Sequence, residues 1–153
     1  MARRRIRRPK EHEYVYQELT DLDEFGIFST YKDIFMAAGL VGFIEKKKRT
    51  FEGSLEGINW NIFNLETDEA MINAVALIDT GDSSIVNTDD ETFDRKITIF
   101  EEYAAGGAEI LYNKVMENPK QALNTYFQYI MSMEKETTDQ ERNLQDIADM
   151  LTF

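Results

Sequence analysis

The sequence lacks cysteine altogether and contains a single histidine, His12. Without cysteine, the chain has no disulfide, thiol redox centre, zinc–thiolate site or cysteine nucleophile. One imidazole excludes a multi-histidine metal site and leaves any Ser-His-Asp arrangement with a single candidate base. Two prolines and eight glycines among 153 residues argue against an all-β chain with many tight turns.

Long apolar runs are also missing. The longest run, IFMAAGLVGFI at Ile34–Ile44, would extend about 16 Å as a helix, roughly half of a bilayer core. It therefore predicts a buried helix rather than a membrane span. The basic residues at the start are followed by Glu11-His12-Glu13, where a signal peptide would need an apolar stretch. We expect a cytoplasmic protein.

Apolar residues recur with the helical period along most of the chain, which predicts a mainly α fold. With 153 residues the chain is long enough to bury a core, so we expect a single compact domain over 1–153. It would consist of a basic arm, residues 1–10, and a helical body, residues 11–151. About six helices are predicted: 9–22, 29–45, one beginning after Thr67, 93–117, one beginning at Asn118-Pro119, and a last one that includes 144–151.

Local signals refine this prediction. Thr30 and Asp33 form a capping-box pattern at the start of the second helix. Gly106-Gly107 lies in the middle of the longest helix, where it indicates either a kink or close backbone packing. Alternating apolar residues at 58, 60 and 62 allow one short strand, and residues 79–92 read as a polar, acidic loop.

Charge is distributed unevenly along the chain. Its net value is −12, but residues 1–49 hold 11 basic and 8 acidic residues, whereas residues 50–153 hold 6 basic and 21 acidic ones. Residues 1–10 contain no acid. A cationic arm on an acidic body can hold phosphate while the body repels it. The predicted DNA-binding residues are the cations of this arm: Arg3, Arg4, Arg5, Arg7, Arg8 and Lys10.

Arginine predominates in the arm, and its planar fork suits phosphate and guanine edges. The alternative is a solvated tail that balances the charge of the body. The run Lys46–Arg49 is either a second contact or a helix terminus. The first 45 residues also allow a ribbon-helix-helix arrangement, in which a strand at 3–8 would pair with that of a second subunit and enter the major groove.

Motifs that carry catalysis are not evident. The acidic loop fails the EF-hand pattern in both registers tested, starting at Asp79 or at Asp82. Glycine motifs that cradle phosphate are absent. Adjacent acids such as Glu101-Glu102 are expected by chance among 29 acids, and His12 between two glutamates reads as exposed. We therefore expect no catalytic residue, no metal site and no cofactor.

Two stretches, GIFSTYKDIFMAAGLVGF (Gly26–Phe43) and KITIFEEYAAGGAEIL (Lys96–Leu111), resemble the dnd system-associated protein 4 family. The segments RRIRRPKEHE (Arg4–Glu13) and DEAMINAVAL (Asp68–Leu77) are also similar, so that the resemblance spans about residues 4–130. Such proteins are associated with bacterial DNA phosphorothioation clusters, in which sulfur replaces a phosphate oxygen of DNA. The resemblance implies a context of DNA modification, restriction or phage defence, and no site residues.

The charge pattern and the resemblance together give two main hypotheses. In the first, the protein is a non-enzymatic accessory or regulatory protein that contacts DNA through its arm and forms a homodimer through Ile34–Ile44. In the second, it is a protein-interaction subunit or an acidic DNA mimic, which docks its acidic body onto a larger DNA-processing enzyme of the same system. A small nuclease is a third hypothesis, although no metal-ligand spacing supports it.

Overall fold

A computed structural model describes residues 4–21, 26–117, 119–121 and 123–132. In this part of the chain the fold is mainly helical, as predicted. The helices are α1 (Glu13–Thr20), α2 (Tyr31–Ile44), α3 (Asp68–Thr80), α4 (Asp90–Met116) and α5 (residues 123–132). Short 3-10 turns occupy Lys10–His12, Trp60–Ile62, Ser83–Val86 and Pro119–Gln121. The helix predicted to include 144–151 lies outside the described residues.

Contacts group the chain into two units, Met1–Asn113 and Lys114–Phe153. The first unit contains an aromatic core in which Phe35 of α2 packs against Phe100 of α4 and against Phe63, at ring-centroid distances of 5.3 and 6.0 Å. Trp60 stacks on Phe63 and meets Phe93 edge-on. This core anchors the irregular segment between α2 and α3. In the second unit, the ammonium group of Lys114 lies over the ring of Tyr129.

Helix α2 is buried, as its composition predicts, and Thr30 caps it by accepting a hydrogen bond from the Asp33 amide at 3.2 Å. The chain itself covers seven residues of this helix, including Ile34 and Val41. Only Ala37, Leu40, Phe43 and Ile44 of the run Ile34–Ile44 remain accessible to a second copy of the chain. The homodimer through this run stays a prediction.

Helices α2 and α4 are packed with their backbones in close contact. A Cβ atom on Gly107 would lie 2.0 Å from the carbonyl oxygen of Ala38, and one on Gly42 would lie 1.9 Å from that of Tyr103. Because α4 continues through Gly106-Gly107 as one helix, the glycines serve close packing, the second of the two alternatives that the sequence leaves open.

Several boundaries differ from the prediction. Thr67 is the N-cap residue of α3, as its position predicts, but its side chain makes no capping hydrogen bond; the side chain of Asn64 accepts from the amides of Glu66 and Thr67, which precede the helix. The short strand expected near residue 60 is replaced by a 3-10 turn. The acidic loop is shorter than 79–92, because α3 extends to Thr80 and α4 begins at Asp90.

In the part of the chain that the structure describes, none of the helices has both the length and the hydropathy of a membrane-crossing segment.

Candidate nucleic-acid interface

The N-terminal segment, residues 4–10, is fixed to the body by backbone hydrogen bonds. Ile6 exchanges a pair of them with Ile58, at 2.8 and 2.9 Å, and Lys10 donates to the carbonyl of Gly53 at 3.1 Å. The side chain of Ile6 is fully buried. Residues 4–10 are thus not a tail, and each cation in the segment has a defined position.

The ribbon-helix-helix arrangement is not confirmed. Its strand would have to pair with a second subunit, but Ile6 already pairs with Ile58 and Pro9 forms a bridge with Ser54 of the same chain. The backbone amide of Arg7 donates to the Glu101 carboxylate. These contacts occupy the hydrogen-bonding groups that an intersubunit ribbon would need.

Arg4 is held by carboxylates of α4. Its guanidinium donates to both oxygens of Glu101, at 2.9 and 3.1 Å, and to Asp94 at 3.1 Å. Glu101 is almost fully buried. Burial opposes the charge of Arg4, but the hydrogen bonds and ion pairs outweigh it and raise the pKa of the guanidinium. Arg4 therefore neutralises a buried carboxylate of the fold.

Arg8 is buried, with only 6% of its surface exposed. Its guanidinium lies 4.7 Å from the ring centroids of both Tyr16 and Tyr31, which is the distance of a cation–π contact with each ring. Burial raises the pKa of Tyr16, and the charge of Arg8 opposes that rise. Arg8 ties the segment to α1 and α2.

Arg5, Arg7 and Lys10 are exposed. Arg5 donates to the backbone carbonyl of Gly57 at 2.7 Å, and Arg7 donates to the backbone carbonyl of Glu52 at 2.8 Å. A carbonyl group orients a guanidinium but does not neutralise it. Among the described residues none of the three cations takes part in an ion pair, so their charges face outward.

The structure thus divides the predicted DNA-binding residues into three groups. Arg4, which is half-buried and paired with carboxylates, and Arg8, which is buried, are held by partners within the fold, whereas Arg5, Arg7 and Lys10 are exposed. Arg3 is outside the described residues. Composition could not make this division, because the carboxylate that binds Arg4 comes from a helix 97 residues further along the chain.

His12 is fully buried, so the expectation of an exposed histidine is wrong. Its Nε2 atom lies 3.0 Å from Nη1 of Arg49 and 3.3 Å from Oε1 of Glu109. Burial, followed by the charge of Arg49, lowers the pKa of His12. A sequence signal was available: His12 stands three and seven residues before the buried Val15 and Leu19, on the same face of a helical turn.

Arg49 connects the turn that follows the N-terminal segment to a second basic region. It donates to Glu11 at 2.6 Å on one side, and on the other side it lines a cleft of about 380 Å³ together with Lys46, Lys47 and Lys48. The run Lys46–Arg49 follows the C-terminus of α2, as predicted. Sequence reasoning did not identify the cleft, because its opposite wall belongs to α4.

The described residues contain no group of three or more His, Asp or Glu side chains arranged so that they could hold a metal ion.

The family comparison agrees with the resemblance seen in the sequence. A family model described as DNA sulphur modification system-associated protein 4 matches residues 5–150. Comparison with curated proteins and with solved structures gave no match. Since the family model covers nearly all of the sequence, the chain belongs to the DNA sulphur modification system-associated protein 4 family.

Proposed function

We propose that this protein is a non-enzymatic accessory component of a bacterial DNA sulphur modification system, and that it contacts DNA through Arg5, Arg7 and Lys10. The observation that supports the proposal is the way these cations are presented. They stand on a segment fixed to the body, and the described residues offer them no carboxylate partner. The family's description as system-associated supports the accessory role.

The number of exposed cations limits the electrostatic contribution to binding. Each phosphate neutralised on duplex DNA contributes about −0.9 to the slope of log K against log salt. All six cations of residues 1–10 would give a slope of about −5, whereas the three exposed ones give about −3. We therefore expect weak binding that depends strongly on salt.

The test is fluorescence anisotropy on a labelled duplex between 50 and 200 mM salt, with the triple variant Arg5→Gln, Arg7→Gln, Lys10→Gln. Three contacts with a combined slope of about −3 change the affinity by about 40-fold over that range. The variant should lose most of this dependence. Arg95→Gln is the control for the loss of one positive charge, because Arg95 is an exposed arginine of α4 whose charge is already paired with Asp82.

Deletion of residues 1–10 is not a suitable test, because it removes the buried Ile6 and Arg8 and would damage the fold. Plain and phosphorothioated duplexes should bind equally, within about twofold, if the contact is with backbone charge. A triple variant that binds duplex DNA with the affinity and salt slope of the unmodified protein would refute the proposed interface.

A second candidate function is docking onto a basic protein partner of the same system. It is favoured by the excess of 21 acidic over 6 basic residues in 50–153 and by the exposed apolar side chains of Leu65 and Ile78. Co-purification with the modification proteins, weakening from low to high salt, would support it. If the double variant Leu65→Ser, Ile78→Ser still co-purifies with these proteins, the two apolar side chains do not contribute to docking.

A further inference from the structure

The cleft between the end of α2 and the middle of α4 carries four consecutive cations, Lys46–Arg49. Its other wall consists of Ala105, Gly106, Glu109 and Ile110. Glu109 is the one acid among these lining residues, and it lies 3.6 Å from Arg49, which offsets its charge. One wall of the cleft is therefore basic, and the other consists mainly of small or apolar residues.

The backbone of this basic run is held against α4. Lys46 adopts a left-handed conformation, with φ of 57°, directly after the C-cap of α2. The amide of Lys47 then donates to Gly42 at 2.8 Å, and that of Arg49 donates to the Glu102 carbonyl at 2.9 Å. A Cβ atom on Gly106 would lie 2.1 Å from the carbonyl oxygen of Lys47. The loop is thus seated on α4.

The four cations differ in how far the protein has already neutralised them. Lys48 forms an ion pair with Asp79 at 3.0 Å, and Arg49 forms one with Glu11. Lys46 and Lys47 are exposed, and within the described ranges neither forms an ion pair. Two uncompensated lysines at the mouth of a cleft create a local positive potential in a molecule whose net charge is −12.

We propose that this cleft binds a phosphate group of a nucleic-acid backbone, with Lys46 and Lys47 as the main cationic contacts. Arg49 lines the cleft and also donates to Glu11, the residue that directly follows the N-terminal segment. The inference rests on the proposed contact with DNA and adds a second anchoring point to it. An acidic protein segment is the competing class of ligand.

The test compares three variants in the anisotropy assay. The cleft variant is Lys46→Asn with Lys47→Gln, because asparagine tolerates the left-handed conformation of residue 46. The second is the triple variant of Arg5, Arg7 and Lys10. The control is Lys120→Gln, which alters an exposed lysine outside the cleft. Loss of one phosphate contact should weaken duplex binding by about three- to tenfold and reduce the salt slope by about 1.

Two further measurements identify the ligand. Inorganic phosphate should shift the amide resonance of Gly106 in the unmodified protein, and the cleft variant should lose that shift. A polyglutamate peptide serves as the probe for the competing class. If the peptide binds through Lys46 and Lys47 while the duplex does not, the nucleic-acid assignment is overturned.

The outcomes separate the two proposals. If the cleft variant binds the duplex with unchanged affinity and salt slope while the triple variant loses binding, the cleft proposal fails and the proposed function stands. If the unmodified protein does not bind the duplex, both fail. Both proposals are supported if the cleft variant loses duplex affinity, if this loss adds to that of the triple variant, and if Lys120→Gln binds the duplex as the unmodified protein does.

Discussion

Gly107→Ala should destabilise the protein, although helix propensity alone predicts the opposite. Gly107 lies in the interior of α4, where alanine is favoured over glycine by about 1 kcal/mol. The new Cβ atom, however, would lie 2.0 Å from the carbonyl oxygen of Ala38 and 2.5 Å from the amide nitrogen of Gly42. Both neighbours are backbone atoms of α2 and cannot rotate away.

The magnitude follows from how far the two helices must separate. Carbon and oxygen atoms require more than 3 Å, so α2 and α4 would have to move apart by about 1 Å along their closest contact. Overpacking of this kind costs about 1–3 kcal/mol, and more where the backbone must shift. A cost of about 3 kcal/mol less a propensity gain of about 1 leaves a net loss of about 2 kcal/mol.

Urea unfolding followed by circular dichroism measures this change in the free energy of unfolding. Gly53→Ala is the matched control, because a Cβ atom there comes no closer than 3.6 Å to any neighbour, the Cδ atom of Lys10. We expect the control to stay within about 0.5 kcal/mol of the unmodified protein. If Gly107→Ala is as stable as the unmodified protein, the close packing of α2 on α4 is refuted.

Three further changes test other parts of the fold. Ile6→Ala should lower the free energy of unfolding in urea by about 3 kcal/mol, because the side chain of Ile6 is fully buried. A decrease of less than about 1 kcal/mol would contradict the anchoring of the N-terminal segment. Glu101→Gln should lower the free energy of unfolding by about 2 kcal/mol, because it disrupts a largely buried ion pair with Arg4. Asp94→Asn removes the exposed partner of the same arginine and should cost less than about 1 kcal/mol. Equal losses for the two variants would contradict the structural role given to Glu101. The lowered pKa of His12 means that protonation favours the unfolded chain, so its contribution to stability is present above pH 6.5 and is lost as the pH falls below that value. The free energy of unfolding should therefore fall less between pH 7 and pH 5 for His12→Gln than for the unmodified protein. An equal fall in the two proteins would contradict the role given to His12.

The helices could be predicted because their signals are local. The apolar run Ile34–Ile44 and the cap at Thr30 lie within a few residues of the helix that they specify, and both are confirmed. Thr67 stands at the N-cap position of α3, but its side chain accepts no hydrogen bond from the helix, whereas Asn64 accepts hydrogen bonds from the two amides just before the helix. Residue type alone does not decide which of these side chains makes such a bond.

The candidate interface depends on contacts between residues far apart in the chain, which a single sequence does not reveal. Arg4 and Arg5 are neighbours of the same type, yet one lies against Glu101 and the other faces outward. The cleft likewise requires the loop after α2, at Lys47, to lie on Gly106. The glycine pair indicated close packing, but not which segment packs there.

The bridge between Ile6 and Ile58 fixes the backbone that carries the exposed arginines before any partner is bound. A flexible tail loses backbone freedom worth about 1–2 kcal/mol per residue when it becomes ordered on its target. In this protein that freedom is already lost on folding. Arg5 and Arg7 stand two residues apart on extended backbone, so their Cα atoms keep a spacing of about 7 Å. The pair consequently presents two charges at a fixed interval, and the segment cannot wrap around a double helix as an unanchored extension would.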